Sequence, residues 1–191
     1  MHTAFIGLDY IVDIMHPNGK IARAASQASE RDVVGKANRV LAIARERDWL
    51  RVLVKVGFAL SYLDQPKASP MFGKAHEVGA LALGAKGTEF HPQLDVGNDC
   101  LVVIKPRVSG FYGTSLDAIL RANHIQRLVI AGVSSTWAVQ STVRDGHDRD
   151  YEVIVVEDAC AAASEEEHDA SMQMLGTIAR VVTSEALVEL M

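Results

Sequence analysis

Apolar residues gather along the chain in six short runs: AFIGLD at 4–9, LRVLVKV at 50–56, CLVVIK at 100–105, RLVIAGV at 127–133, YEVIVVE at 151–157 and ARVVT at 179–183. Several are rich in Val and Ile with no polar alternation, as in strands covered on both faces, so they predict a parallel sheet. Between the runs the period turns helical. Over 32–48, Val33, Ala37, Val40, Leu41 and Ala44 share one face, while Lys36, Arg39, Arg45 and Arg47 point elsewhere. Leu116, Ile119, Leu120 and Asn123 outline a shorter helix, and a third starts near Ser135. A fourth opens with Ser164 and Glu167 at capping-box spacing and carries His168, Met172, Leu175 and Ile178 on one stripe. Strand and helix alternate, which predicts an α/β fold: a doubly wound three-layer α/β/α sandwich, Rossmann-like, around a mostly parallel six-stranded sheet. Segments 15–30 and 58–98 break the pattern with Gly, Pro and Ser, and are expected to act as lids or oligomer contacts.

Composition narrows what such a domain does. A chain of 191 residues, 49% hydrophobic, supports one core, so residues 1–191 are expected to form a single domain. The net charge of −5 comes with no basic block, which speaks against nucleic acid or an anionic membrane as partner and for a small molecule. No window reaches the roughly 18 apolar residues of a membrane helix, and MHTAFIGLDY lacks the marks of a signal peptide. The two cysteines, Cys100 and Cys160, match no metal-ligand spacing and are expected as buried free thiols in a cytoplasmic protein.

In open α/β sheets, ligands sit beyond the carboxyl ends of the strands. The first run ends in Asp9, the third in Lys105, and the fourth in AGV followed by Ser134, Ser135 and Thr136. Singly, each has a plain structural reading as turn residue, solvated lysine or helix cap. Aromatic residues near these ends, Trp137, Phe111 and Tyr112 and with them Tyr10 and Phe58, are candidates for binding a flat, partly apolar molecule, core packing being the alternative. Arg107 is a candidate partner for an acid group, or a surface arginine.

Four stretches together carry a resemblance: LD at the end of the first run, VIKPRVSGFYGTSLDAIL at 103–120, AGVSSTWAVQSTVRDGHDRDYEVIVVEDACAA at 131–162, and the HDASMQML helix. In order, from residue 4 to about 188, they resemble the isochorismatase-like hydrolases, or cysteine hydrolase superfamily. The resemblance implies an Asp–Lys–Cys triad in which the carboxylate takes the thiol proton and the thiolate attacks an amide carbonyl. By motif, Asp9 matches the acid/base and Lys105 the lysine. Val133–Ser134 matches a cis peptide beside the oxyanion site, and Ala138 matches the nucleophile position. A methyl group thus stands where the thiol is expected, and the resemblance gives neither Cys100 nor Cys160 that role. Ile11 and Val12 replace the Gln and Asn usual after the first Asp, so that turn is expected to lose polar contacts. The histidine pattern of the nicotinamidase metal site is missing: His76 and His91 lack ligand spacing, and His147 and His168 read as structural. No metal and no cofactor are expected.

Isochorismatase itself carries a small residue in place of the thiol, with the Asp protonating a vinyl ether that water cleaves. The first expectation is therefore a hydrolase without a thiol, using Asp9 as acid/base and Lys105 as partner. The second is a cysteine-type amidase whose nucleophile at 138 was mutated or lost, and the third a non-catalytic small-molecule binder. The family resemblance also implies a homo-oligomer, a dimer or higher.

Overall fold

The computed structural model describes residues 1–190. Six parallel strands, β1 (Thr3–Leu8), β2 (Leu50–Val56), β3 (Leu101–Lys105), β4 (Arg127–Gly132), β5 (Glu152–Val156) and β6 (Arg180–Val182), form one sheet in the order β3-β2-β1-β4-β5-β6. The six apolar runs each became a strand, and the sheet is parallel throughout. All six residues of β1 are buried, as a central strand with helices on both faces requires.

The helices are α1 (Val12–Met15), α2 (Ala25–Glu30), α3 (Val33–Glu46), α4 (Ala75–Val78), α5 (Leu116–Ala122), α6 (Gln140–His147), α7 (Glu165–Leu175) and α8 (Ala186–Glu189). On α3 the buried residues are the stripe read from the sequence, with Ile43 added. Ser164 caps α7, its hydroxyl accepting from the Glu167 N–H at 3.2 Å. From β1 the chain winds outward to β2 and β3, then returns across the sheet to β4 and continues to β5 and β6. Right-handed crossovers therefore place α3 on one face and α5 and α6 on the other. The reversal between β1 and β4 opens a crevice at their carboxyl ends.

The segments without period are more ordered than their composition foretold. Residues 15–30 include α2, and 58–98 folds around its own apolar cluster of Ile11, Val56, Phe58, Phe72, Ala80 and Leu81. Asp13, buried, ties the two together: its Oδ1 accepts from Lys20 N–H at 3.1 Å and its Oδ2 from Leu81 N–H at 2.7 Å. The turn after β1 thus keeps a polar anchor despite Ile11 and Val12. On the outer edge, β3 leaves Leu101, Val102 and Ile104 exposed.

Candidate active site

β1 ends at Leu8, which registers with Val54 on one side and Gly132 on the other; Val56 in turn registers with Lys105. Asp9 is the next residue, in left-handed backbone at φ 53°. Its own N–H bonds to Val54 carbonyl at 2.8 Å, and its Oδ1 accepts from Val56 N–H at 2.7 Å. The short aspartate side chain thereby lies over the end of β2, within reach of the lysine that ends β3. Lys105 Nζ meets Asp9 Oδ2 at 2.7 Å and donates to Val108 carbonyl at 2.5 Å. Both side chains are almost fully enclosed, Asp9 2% and Lys105 1% exposed. Burial pushes the Asp9 carboxyl above its ordinary value, and the nearby Lys105 and Val56 N–H offset only part of that.

The other wall comes from β4. Gly132 has φ 152°, and a Cβ there would stand 2.3 Å from the Leu8 carbonyl oxygen, so only glycine lets the two strand ends approach this closely. The Val133–Ser134 peptide is cis. A π-helical turn, Ser135–Val139, follows, closed by the Val139 N–H on the Ser134 carbonyl at 3.1 Å, and leads into α6. Ala138 sits in this turn, buried.

Behind the turn lies a polar chain that runs from buried Ser135 and His168 to the half-buried Arg31 and Glu157. Ser135 Oγ is 2.8 Å from His168 Nδ1, and Arg31 Nη2 is 2.9 Å from His168 Nε2. Glu157 Oε2 lies 3.3 Å from the same nitrogen and 3.5 Å from Arg31. Arginine can only donate, so Nε2 accepts and Nδ1 carries the proton toward Ser135. Burial first, then Arg31, lowers the His168 pKa, with Glu157 opposing. A neutral imidazole in the fold that charges when unfolded makes stability fall as pH drops through its ordinary value of 6.5, and leaves it flat above. The Tm of the wild type, followed from about pH 8 down to about pH 5, is expected to decline more steeply than that of His168→Gln; parallel curves would reject this origin.

Between these walls opens a cleft of about 660 Å³, with Asp9, Lys105 and Ala138 in its lining. Val133, Ser134 and Trp137 line it as well, Trp137 being 53% exposed. With Thr136, which also lines it, seven of the residues singled out at the strand ends and in the turn after β4 are thus brought together.

Phe111 and Tyr112 are not. The Gly110 N–H donates to Thr142 Oγ1 at 2.9 Å and Ser109 bonds to Asp145, which pins the SGFYGTS turn onto α6. Phe111 is thereby turned into the core, its ring 6.3 Å from that of Tyr151, and Tyr112 is left 61% exposed outside the cleft. Tyr10 and Phe58 are likewise core residues; the Tyr10 hydroxyl donates to the Ala159 carbonyl at 2.7 Å. Arg107 turns back onto the neighbouring Pro106 carbonyl at 2.5 Å and does not line the cleft. The cleft instead recruits residues with no motif to announce them, Arg23 and Ile21 from the first irregular segment and Met71 and Phe72 from the second, and also Glu167 of α7, which the sequence marked only as part of a helix cap.

Neither cysteine lines the cleft. Cys160 is buried, donates to Val156 carbonyl at 3.3 Å, and has its thiol pushed up to about 12 by burial, which leaves it without thiolate character. Cys100 is free and only half-buried, where a buried thiol was expected, because it precedes the exposed edge strand β3. Among the described residues, no three His, Cys, Asp or Glu side chains gather in a group that could hold a metal ion. No described helix is long and apolar enough to cross a membrane.

A sequence profile of the isochorismatase domain matches residues 3–186. The uncharacterized isochorismatase family protein YecD of Escherichia coli O157:H7 is 29% identical over 181 residues, 93% of this chain and 92% of that protein. Ureidoacrylate amidohydrolase RutB of Klebsiella pneumoniae is 31% identical over 144 residues, 69% of this chain but only 61% of that longer protein. In structure, the chain is similar to N-carbamoylsarcosine amidase of Thermoplasma acidophilum, at a TM-score of 0.73 and 29% identity, covering 96% of this chain and 97% of that one.

Proposed function

This chain belongs to the isochorismatase family and is a hydrolase of that family, and we propose that it acts on a small molecule without a thiol nucleophile, using Asp9 as general acid/base and Lys105 as its partner. The observation that carries this reading is the enclosed Asp9–Lys105 pair lining a cleft whose nucleophile position is the methyl of Ala138. A methyl cannot form a thioester, so water must supply the attacking oxygen. Asp9 takes a proton from that water as the new bond to the reacting carbon forms, and returns it to the leaving atom as the old bond breaks. Lys105 commits two of its three N–H donors, to Asp9 and to Val108. It holds the carboxylate in place and balances its charge.

The bond we assign is the carbon–nitrogen bond of a small amide or ureide, the class in the names of RutB and of N-carbamoylsarcosine amidase. A second reading, cleavage of a vinyl ether begun by proton donation, is favoured by the upward displacement of the Asp9 pKa, since a carboxyl that protonates more readily is the better donor near neutral pH. We also propose a homo-oligomer in the cytoplasm. Leu60 and Leu63, 72% and 89% exposed in the 58–98 segment, and the open face of β3 are apolar surfaces for a second copy to cover. Two unpaired thiols fit a reducing compartment.

The test compares the protein and its Ala138→Cys variant on isochorismate and a spread of small amides and ureides, each with and without prior iodoacetamide. The expected result is turnover by the unmodified chain that iodoacetamide leaves intact. Activity confined to the cysteine variant, with an adduct at 138, would make the scaffold an amidase that has lost its nucleophile.

A further inference from the structure

Four charged side chains line the cleft: Asp9, Arg23, Lys105 and Glu167. Three of them have partners. Asp9 and Lys105 neutralise each other at 2.7 Å. Glu167 lies in the first turn of the eleven-residue α7, where the helix dipole favours an anion, and its Oε2 is 3.5 Å from Thr136 Oγ1. Arg23 is different. Its main chain is held by a turn, the N–H reaching the Ile21 carbonyl at 2.9 Å, and the next residue, Ala24, is buried. Its guanidinium makes no hydrogen bond, ion pair or ring contact among the described residues. An anchored backbone thus presents an uncommitted cation to a cleft whose other lining includes Ile21, Pro70, Met71 and Phe72. Arg23 is itself exposed, so it is open to an anion from solvent, and a ligand seated against these apolar side chains displaces part of the water that screens the contact.

Resting on the hydrolase reading above, we infer that the substrate is a carboxylic acid whose carboxylate pairs with Arg23 while its scissile group meets Asp9. A planar guanidinium matches a carboxylate with two parallel N–H···O bonds. With Lys105 neutralised, Arg23 is the one cation in the cleft lining left without a partner among the described residues, which suits a monoanion better than a dianionic phosphate. The volume of about 660 Å³ exceeds what a lone amide or urea group fills and leaves room for a spacer between the two ends.

Calorimetric titration of 3-ureidopropionate, succinamate and phenylacetate, each beside its methyl ester, with phenyl phosphate as the alternative anion, tests this without requiring turnover. At least one acid is expected to bind about tenfold or more tightly than its ester, the scale of a charge-assisted hydrogen-bond pair. Arg23→Ala is expected to erase that ratio while leaving ester affinity unchanged, and Arg23→Lys to keep part of it. If no acid outbinds its ester, if the preference survives in Arg23→Ala, or if phenyl phosphate binds more tightly than every acid, the inference is overturned. Repeating the titration in Asp9→Asn separates the two readings. Acid preference there tracks Arg23 alone, whereas the hydrolase reading stands or falls on rates.

Discussion

Replacing Asp9 by asparagine is expected to lower kcat by about a hundredfold to ten-thousandfold, the range that positioned proton transfer supplies. Asparagine keeps the shape and an oxygen able to accept the Val56 N–H now bonded to Oδ1 at 2.7 Å. It cannot take or return a proton, and it offers Lys105 no negative charge. Because the lost interaction belongs to the transition state, kcat and kcat/KM should fall together. The wild-type rate carries a further signature. If ionised Asp9 activates water, activity rises with pH on its acidic side, and burial places the midpoint of that rise above the ordinary 3.8. Steady-state rates for both proteins across pH provide the check, and an asparagine variant within tenfold of wild type would remove Asp9 from the chemistry.

Replacing Lys105 by methionine is expected to be the most damaging single change to stability, about 3–5 kcal/mol, the cost of breaking a buried ion pair from one side. The methylene stem of the lysine is preserved in outline, so the loss comes from Asp9, left charged and enclosed. The variant relieves this by protonating Asp9, which raises that carboxyl's folded pKa further. A group whose folded pKa is raised contributes most below its unfolded pKa and loses that contribution as pH climbs through the folded value. The deficit of Lys105→Met should therefore be larger at about pH 8 than at about pH 5. Urea unfolding at both pH values measures it. The double variant Asp9→Asn/Lys105→Met removes both charges and is expected to be more stable than the sum of the single losses allows, by about 0.5–3 kcal/mol. Strict additivity would mean that the two groups do not interact.

What could be read from the chain and what could not divide along a physical line. Strands enclosed on both faces must be apolar throughout, so the inner strands were visible as runs, the apolar edge strands β3 and β6 showed beside them, and with them came the strand ends that hold Asp9, Lys105 and the turn at 133–138. The edge strand β3 read like an inner one, because its apolar residues show no sign of which are left uncovered. Side-chain direction in irregular backbone was hidden, since it depends on partners far along the chain. Phe111 faces the core because Gly110 and Ser109 are held by Thr142 and Asp145, more than thirty residues away. Arg23 and Phe72 reach the cleft because segments around them fold on Asp13 and on a small apolar cluster, and neither leaves a periodic trace. Arg107, which follows a strand end in sequence, was the arginine that position favoured, and it spends its guanidinium on its own neighbour.

The contact between Gly132 and the Leu8 carbonyl bears on how such a site changes over generations. Leu8 precedes Asp9 directly, and Gly132 precedes the turn that carries position 138, so main chain against main chain fixes the spacing of the two walls of the cleft. A frame set by backbone is indifferent to the side chain mounted on it. On the proposed mechanism, exchange of a thiol for a methyl at 138 would alter the reagent and leave the bench standing, and this position would be a place where a lineage can trade one reaction for another in a single step. Residue 132 has no such liberty: any side chain there would prise both walls apart at once.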